Sequence, residues 1–132
     1  MTAVGAVDVE VLLIGWLTAR LDLGVVVRDE LDNDLAGELP TVHVQRVAGD
    51  DDGLRLDRAL VDVDVYAATR GDAYGLAATI RGLMLGQLRG SSTESAVVGL
   101  VRTVSAPASR PYENVGLRRV GATYEIYSHP VS

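Results

Sequence analysis

The chain has no cysteine, no phenylalanine and no lysine among its 132 residues. Without cysteine there are no disulfides, no thiol nucleophile and no Cys-ligated metal, a composition compatible with a cytoplasmic setting. Without lysine, all 12 basic residues are Arg. Lys, Phe, Ile and Asn are all scarce here and all have A/T-rich codons. A G+C-rich genome explains this more simply than a demand for guanidinium groups. Histidine occurs at His43 and His129 only, and neither fits a triad or a zinc spacing. No serine stands in a Gly-x-Ser-x-Gly setting. Gly71 and Gly75 surround a helix start but lack the Lys and Ser/Thr of a phosphate-binding loop. The longest apolar run, counting Gly15, is Val11–Leu17, far short of the ~20 residues of a membrane span. No basic region precedes the apolar residues of MTAVGAVDVEVLL, so the start of the chain does not read as a signal peptide. These absences leave no catalytic residue, metal or cofactor to assign, and the expectation is a protein that is not an enzyme.

What is present is valine, 20 residues of it, which favours sheet. A chain of this length is expected to form one domain, residues 1–132, and to bury roughly two thirds of its unfolded surface. The net charge of −6 argues against duplex DNA as a partner, because affinity there comes from neutralising phosphates.

The stretch from Asp57 to Gly90 organises the rest. Val61, Val63, Val65 and Ala67 alternate with Asp62, Asp64 and Tyr66, the period of a strand over 57–68. Thr69 then reads as a helix N-cap, with Asp72 in the first turn. From Ala73 the spacing becomes helical through Leu76, Ala77, Ile80, Leu83, Met84 and Leu88, and Gly90 ends it. Val61, Val63, Val65, Leu76 and Ile80 are expected in one core with Leu12 and Trp16.

Around this unit, Val9, Leu12, Leu13, Trp16 and Leu17 predict a first helix over 6–22. Strands are predicted at 25–29 and 41–47, the second with Val42 and Val44 on one face and His43 and Gln45 on the other. The acidic segment 30–39 has room for one helical turn. Residues 48–53 read as a polar turn leading back antiparallel into the long strand. Two more strands are predicted. The first covers 95–105, with Val98, Leu100 and Val104 on one face and Val101 on the other. The second covers 117–127, and between them lies a loop over 106–115. The tail, 128–132, reads as frayed and mobile. The order α-β-β-β-α-β-β describes an α+β domain: a mostly antiparallel five-stranded sheet with two helices on one face.

Two acidic groups are candidate sites. Asp50, Asp51 and Asp52 before Gly53 suggest Ca²⁺, but contiguous acids with Val61 at the twelfth position do not match an EF-hand, and a solvated turn is the better reading. Asp62 and Asp64, about 7 Å apart on one strand face, read as a solvated or intersubunit face with Arg118 or Arg119 opposite. The expected contact residues for association are Asp62, Asp64, Tyr66, Arg70, Arg110, Arg118 and Arg119, a mix of charge and aromatics suited to a protein interface.

The chain resembles the tail terminator proteins of long-tailed bacteriophages, the group that includes the lambda tail terminator. The resemblance runs through GVVVRDEL after the first helix, LPTVHVQRVAG, and LDRALVDVDVYAATRGDAYGLAATIRGLM, which carries most of it. It ends in VRTVSAPASRPYENVGLRRVGATYEIY. It implies a structural protein of the virion, assembled in the host cytoplasm and placed at the head-proximal end of the tail. There a hexameric ring of identical copies caps the tail-tube protein, ends its polymerisation and meets a head-completion or connector protein. It implies no cofactor, no membrane and no specific nucleic-acid binding. Alternative readings are another head–tail connector or neck protein, or a small ligand-binding or catalytic α+β domain unrelated to phage.

Overall fold

The computed structural model describes residues 7–112 and 116–131. Its elements run α1 (Val9–Thr18), β1 (Val26–Arg28), a 3₁₀ turn at Leu35–Gly37, β2 (Thr41–Asp51), β3 (Asp57–Ala67), α2 (Arg70–Leu83), β4 (Ala96–Ser109) and β5 (Arg118–Pro130). The strands form one sheet in the order β1-β2-β3-β5-β4, antiparallel throughout except for the parallel pair β1–β2. The architecture is α+β, in the element order the hydrophobic pattern predicts.

Both helices cover the same sheet face. Leu13 and Leu17 of α1, Ile80 and Met84 from α2 and the turn after it, and Val44, Val61, Val65, Val120, Tyr124 and Ile126 of the sheet are buried in one cluster. Asp8 caps α1, and Thr69 caps α2 as the sequence predicts. The Asp8 carboxylate accepts from the Val11 N–H at 3.2 Å, and the Thr69 hydroxyl from the Asp72 N–H at 3.1 Å. Each satisfies a helix-end donor that would otherwise lack a partner. α2 runs on into a π-helical turn, Met84–Leu88, and stops at Gly90, whose φ of 80° suits a residue without a Cβ. α1 is tied to the sheet by Glu10, whose carboxylate accepts the Arg46 N–H at 2.8 Å.

Several boundaries differ from the sequence reading. α1 begins at Val9 rather than at residue 6, which lies outside the described residues, and ends at Thr18. β2 runs through the expected turn at 48–53 as far as Asp51. A bulge between Arg46 and Ala48 makes this possible. It inserts one residue and reverses the alternation, so Asp50 lies over Arg58 on the face away from the helices. Gly49, at φ 145°, passes so close to the Arg58 carbonyl that no Cβ would fit.

In β4 a second bulge, between Val98 and Val101, turns both residues into the core. Leu100 is therefore only half-buried and Val104 is 53% exposed. β4 also continues through 106–109, expected as loop. It is an edge strand with further register shifts, where Pro107 leaves no central hydrogen bond unmade. The last three residues of that expected loop, 113–115, lie outside the described residues.

The frayed tail is corrected as well. Ser128, His129 and Pro130 belong to β5 and pair with β4, and Ser128 is buried; Ser132 lies outside the described residues. Leu76, expected in the core, is half-buried at its margin. Among the described residues, no helix is long and apolar enough to cross a membrane.

Candidate functional site

The sheet face turned away from the helices is charged, and its charges are held in two rows running across the strands. In the first row the Arg58 guanidinium bridges β2 and β5. Its Nε donates to Asp50 at 2.7 Å and its Nη1 to Glu125 at 2.7 Å. Arg102 of β4 approaches the other Glu125 oxygen at 3.1 Å. The row Asp50–Arg58–Glu125–Arg102 thus alternates in sign across β2, β3, β5 and β4.

The second row centres on Asp64. Its carboxylate receives Arg110 Nη1 on one oxygen and Arg119 Nη2 on the other, each at 3.0 Å. The Asp64 side chain is 3% exposed, so its charge is sustained by two guanidinium groups rather than by water. Asp62 is more open. It accepts from the Thr123 hydroxyl and lies 3.5 Å from Arg110. Gly121 makes the row possible: a Cβ there would collide with the Asp64 carboxylate and come within 2.7 Å of the Arg110 side chain.

Beyond Asp64 the face becomes apolar. Tyr66, Leu35 and Leu117 form a second, small buried cluster, with Tyr112 edge-on to Tyr66 at 5.1 Å between ring centres. Burial raises the Tyr66 hydroxyl pKa.

The face therefore differs from the expected one. Asp62, Asp64, Arg110 and Arg119 are brought together with Tyr66, but inside one chain. The reading of Asp64 as solvated or free to pair with a copy of itself is corrected: both its oxygens are engaged and it is buried. Arg70 is elsewhere, stacked over the Tyr74 ring of α2 at 4.4 Å. Arg118 opens β5 and donates to the Leu117 carbonyl.

The acidic triplet ends β2 and opens the hairpin turn. Asp52 accepts from the Leu54, Arg55 and Leu56 N–H groups, Asp51 accepts from Gly53, and Asp50 holds Arg58. Among the described residues, no group of three or more His, Asp or Glu side chains is arranged to hold a metal ion. His43 Nε2 lies 3.0 Å from the Asp29 carbonyl, and His129 Nδ1 2.8 Å from that of Pro130.

Sequence reasoning passed over Arg58, Glu125, Thr123 and Gly121. Arg58 and Glu125 carried a signal, since opposite charges alternate with apolar residues in both predicted strands. Gly121 interrupts a predicted strand, which often marks a close approach.

The charge rows predict an acid response. Hydrogen bonds from Arg58 hold both Glu125 and Asp50 below their ordinary pKa. A depressed folded-state pKa contributes stability that is complete above the unfolded value, about 4.3 for Glu. That stability is lost as pH falls through the lowered folded value. Melting temperatures measured from pH 6 down to pH 2.5 should therefore fall on the acid side, and Arg58→Gln should flatten the fall. An unchanged slope in the variant would show that Arg58 does not set it.

The helix-covered side holds a groove of about 590 Å³. It lies between the end of α1 and the first turns of α2, with Leu21, Val25, Leu39 and Leu76 on its walls and Gly71 and Gly75 along one side. Compared with models of protein families, the chain matches none, and compared with curated proteins it matches none either.

Proposed function

We propose that this chain is a structural assembly protein that caps the tail tube of a long-tailed phage, ends its polymerisation and offers a surface for joining the tail to the head. The observation that carries this reading is the polar sheet face. Its carboxylates and guanidinium groups neutralise one another in fixed rows, which makes a rigid recognition surface rather than a set of groups free to transfer protons. The α-β-β-β-α-β-β order supports it, being the order of the segments through which the chain resembles tail terminators. On this reading several identical copies, six by the resemblance, surround the tube end and act without cofactor or catalysis.

The test is direct. Tail-tube protein of a long-tailed phage is polymerised with and without the chain, and tube lengths are measured by negative-stain microscopy. Substoichiometric chain should halt elongation and appear as added density at one end. Tubes of unchanged length with bare ends would overturn the reading. Density on a head connector but not on the tube would favour the neighbouring neck-protein reading.

A further inference from the structure

We propose that the Asp52–Gly53 linkage is a covalent modification site, where this chain rearranges to isoaspartate, and that Asp51 is the residue that holds the rearrangement back. The chain has one Asp–Gly pair and no Asn–Gly pair. Ring closure at such a pair is the least hindered, because glycine carries no side chain beside the attacking nitrogen.

The hairpin turn itself brings the two residues together. Gly53 stands at φ 78°, a conformation that glycine adopts without a Cβ penalty. Asp52 precedes it as an acceptor: its Oδ1 takes the Leu54, Arg55 and Leu56 N–H groups at 2.9, 3.0 and 3.1 Å. Both residues are exposed, so water reaches them.

The rearrangement needs no reactant but water. The Gly53 nitrogen attacks Cγ of the neutral Asp52 carboxyl and a C–N bond forms. The carboxyl OH leaves as water with the proton of that nitrogen, and a five-membered succinimide results. Water then adds to the carbonyl on the Cα side and breaks the original peptide C–N bond. Gly53 is left attached through the former side chain, and the chain has the mass it began with.

The folded turn opposes this at both reacting groups. The Gly53 N–H donates to Asp51 Oδ1 at 2.8 Å, which commits the attacking nitrogen to another carboxylate. Asp52 Oδ1 is committed to three N–H groups beyond Gly53. Of these the Leu54 N–H does most to hold the Asp52 carboxyl below the ordinary aspartate range, which makes the neutral acid scarcer. Arg55 fastens the tip to the Pro130 carbonyl. Ring closure therefore waits for the turn to open, and its rate follows the open fraction. Asp51 acts as a positioning residue, because its contact is made with the attacking nitrogen itself. The rearranged backbone is one atom longer and has the Asp52 carboxyl as an amide, so the three N–H groups lose their carboxylate. None of this depends on what the chain assembles with.

The experiment incubates the parent, Asp51→Ala, Asp51→Asn and the parent unfolded in urea at pH 5 and 37 °C. Trypsin then releases the peptide 47–55. Isoaspartate is read as a second chromatographic peak of the same mass, placed at residue 52 by electron-transfer fragmentation. The unfolded chain should form it, and the folded parent should do so at least about 10-fold more slowly, the protection of an ordered turn. Asp51→Ala should react about fivefold faster than the parent, the worth of one net hydrogen bond, at an unchanged melting temperature. Asp51→Asn keeps an acceptor oxygen without the charge and should react as the parent does. Should Asp51→Ala not fold, hydrogen exchange at the Gly53 N–H of the parent decides, because the same opening exposes it. No isoaspartate at residue 52 in the unfolded chain, or a folded parent as reactive as the unfolded one, would overturn the proposal. So would a folded Asp51→Ala no faster than the parent, Asp51→Asn as fast as Asp51→Ala, or a Gly53 N–H that exchanges at the unfolded rate.

Discussion

Asp64→Ala is expected to destabilise the fold by about 3 kcal/mol, and Asp62→Ala by about 1 kcal/mol or less. The two aspartates sit on the same face of β3, two residues apart, and sequence gives no reason to separate them. Burial does. The Asp64 side chain is 3% exposed and takes one guanidinium on each oxygen. Without it, Arg110 and Arg119 remain close together, 23% and 27% exposed, and lose their shared carboxylate. Their residual access to water keeps the loss toward the lower end of what breaking a buried pair costs. Asp62 is 24% exposed and 3.5 Å from Arg110, so water replaces most of what it gives. Gly121→Ala should reproduce part of the Asp64→Ala loss, because the added methyl displaces that carboxylate. In the double variant the two losses should not add, since they remove the same contact. Urea melts of the parent and the four variants test this. Equal losses for Asp62 and Asp64, or full additivity with Gly121→Ala, would mean that Asp64 does not hold the row together.

The elements were legible in the sequence where one rule governed them. β3 and α2 follow strict periods of 2 and 3.6 residues, and the Thr69 cap marks the junction between them. Legibility failed at the bulges. The inserted residue near Val47 and the one between Val98 and Val101 each reverse which side chains face the helices. A period read without the bulge then puts Leu100 and Val104 inside. The ends of β2, β4 and β5 were lost for another reason. Residues 48–51, 106–109 and 128–130 are small, polar or proline, and pairing with a neighbouring strand orders them where propensity does not.

The candidate face was half legible. Its residue types were recognised, but whether they pair within one chain or between copies depends on register. Asp64 lies directly across from Gly121, with Tyr66 across from Arg119. That arrangement puts a carboxylate over an empty position between two arginines, which no linear pattern announces. Tyr66 shows the same limit. It alternates as a surface residue should, yet Leu35 and Leu117, far from it in sequence, close over it.

Ile80→Ala should cost about 3–4 kcal/mol, whereas Leu76→Ala, one turn earlier on α2, should cost about 1 kcal/mol. Both belong to the same apolar stripe, and the helical period alone ranks them equally. Ile80 is 1% exposed within the main core. Truncating it leaves a closed cavity as well as lost transfer energy, and the strands beneath, paired on both sides, have little room to collapse into it. Leu76 is half-buried and forms part of the groove wall. Its removal widens a space already open to water, so the cavity contribution is largely absent. The comparison therefore reads how firmly the groove stays open in the free chain. Chemical denaturation of both variants beside the parent gives the two values. A Leu76→Ala loss as large as that of Ile80→Ala would mean that the groove closes over Leu76 in solution.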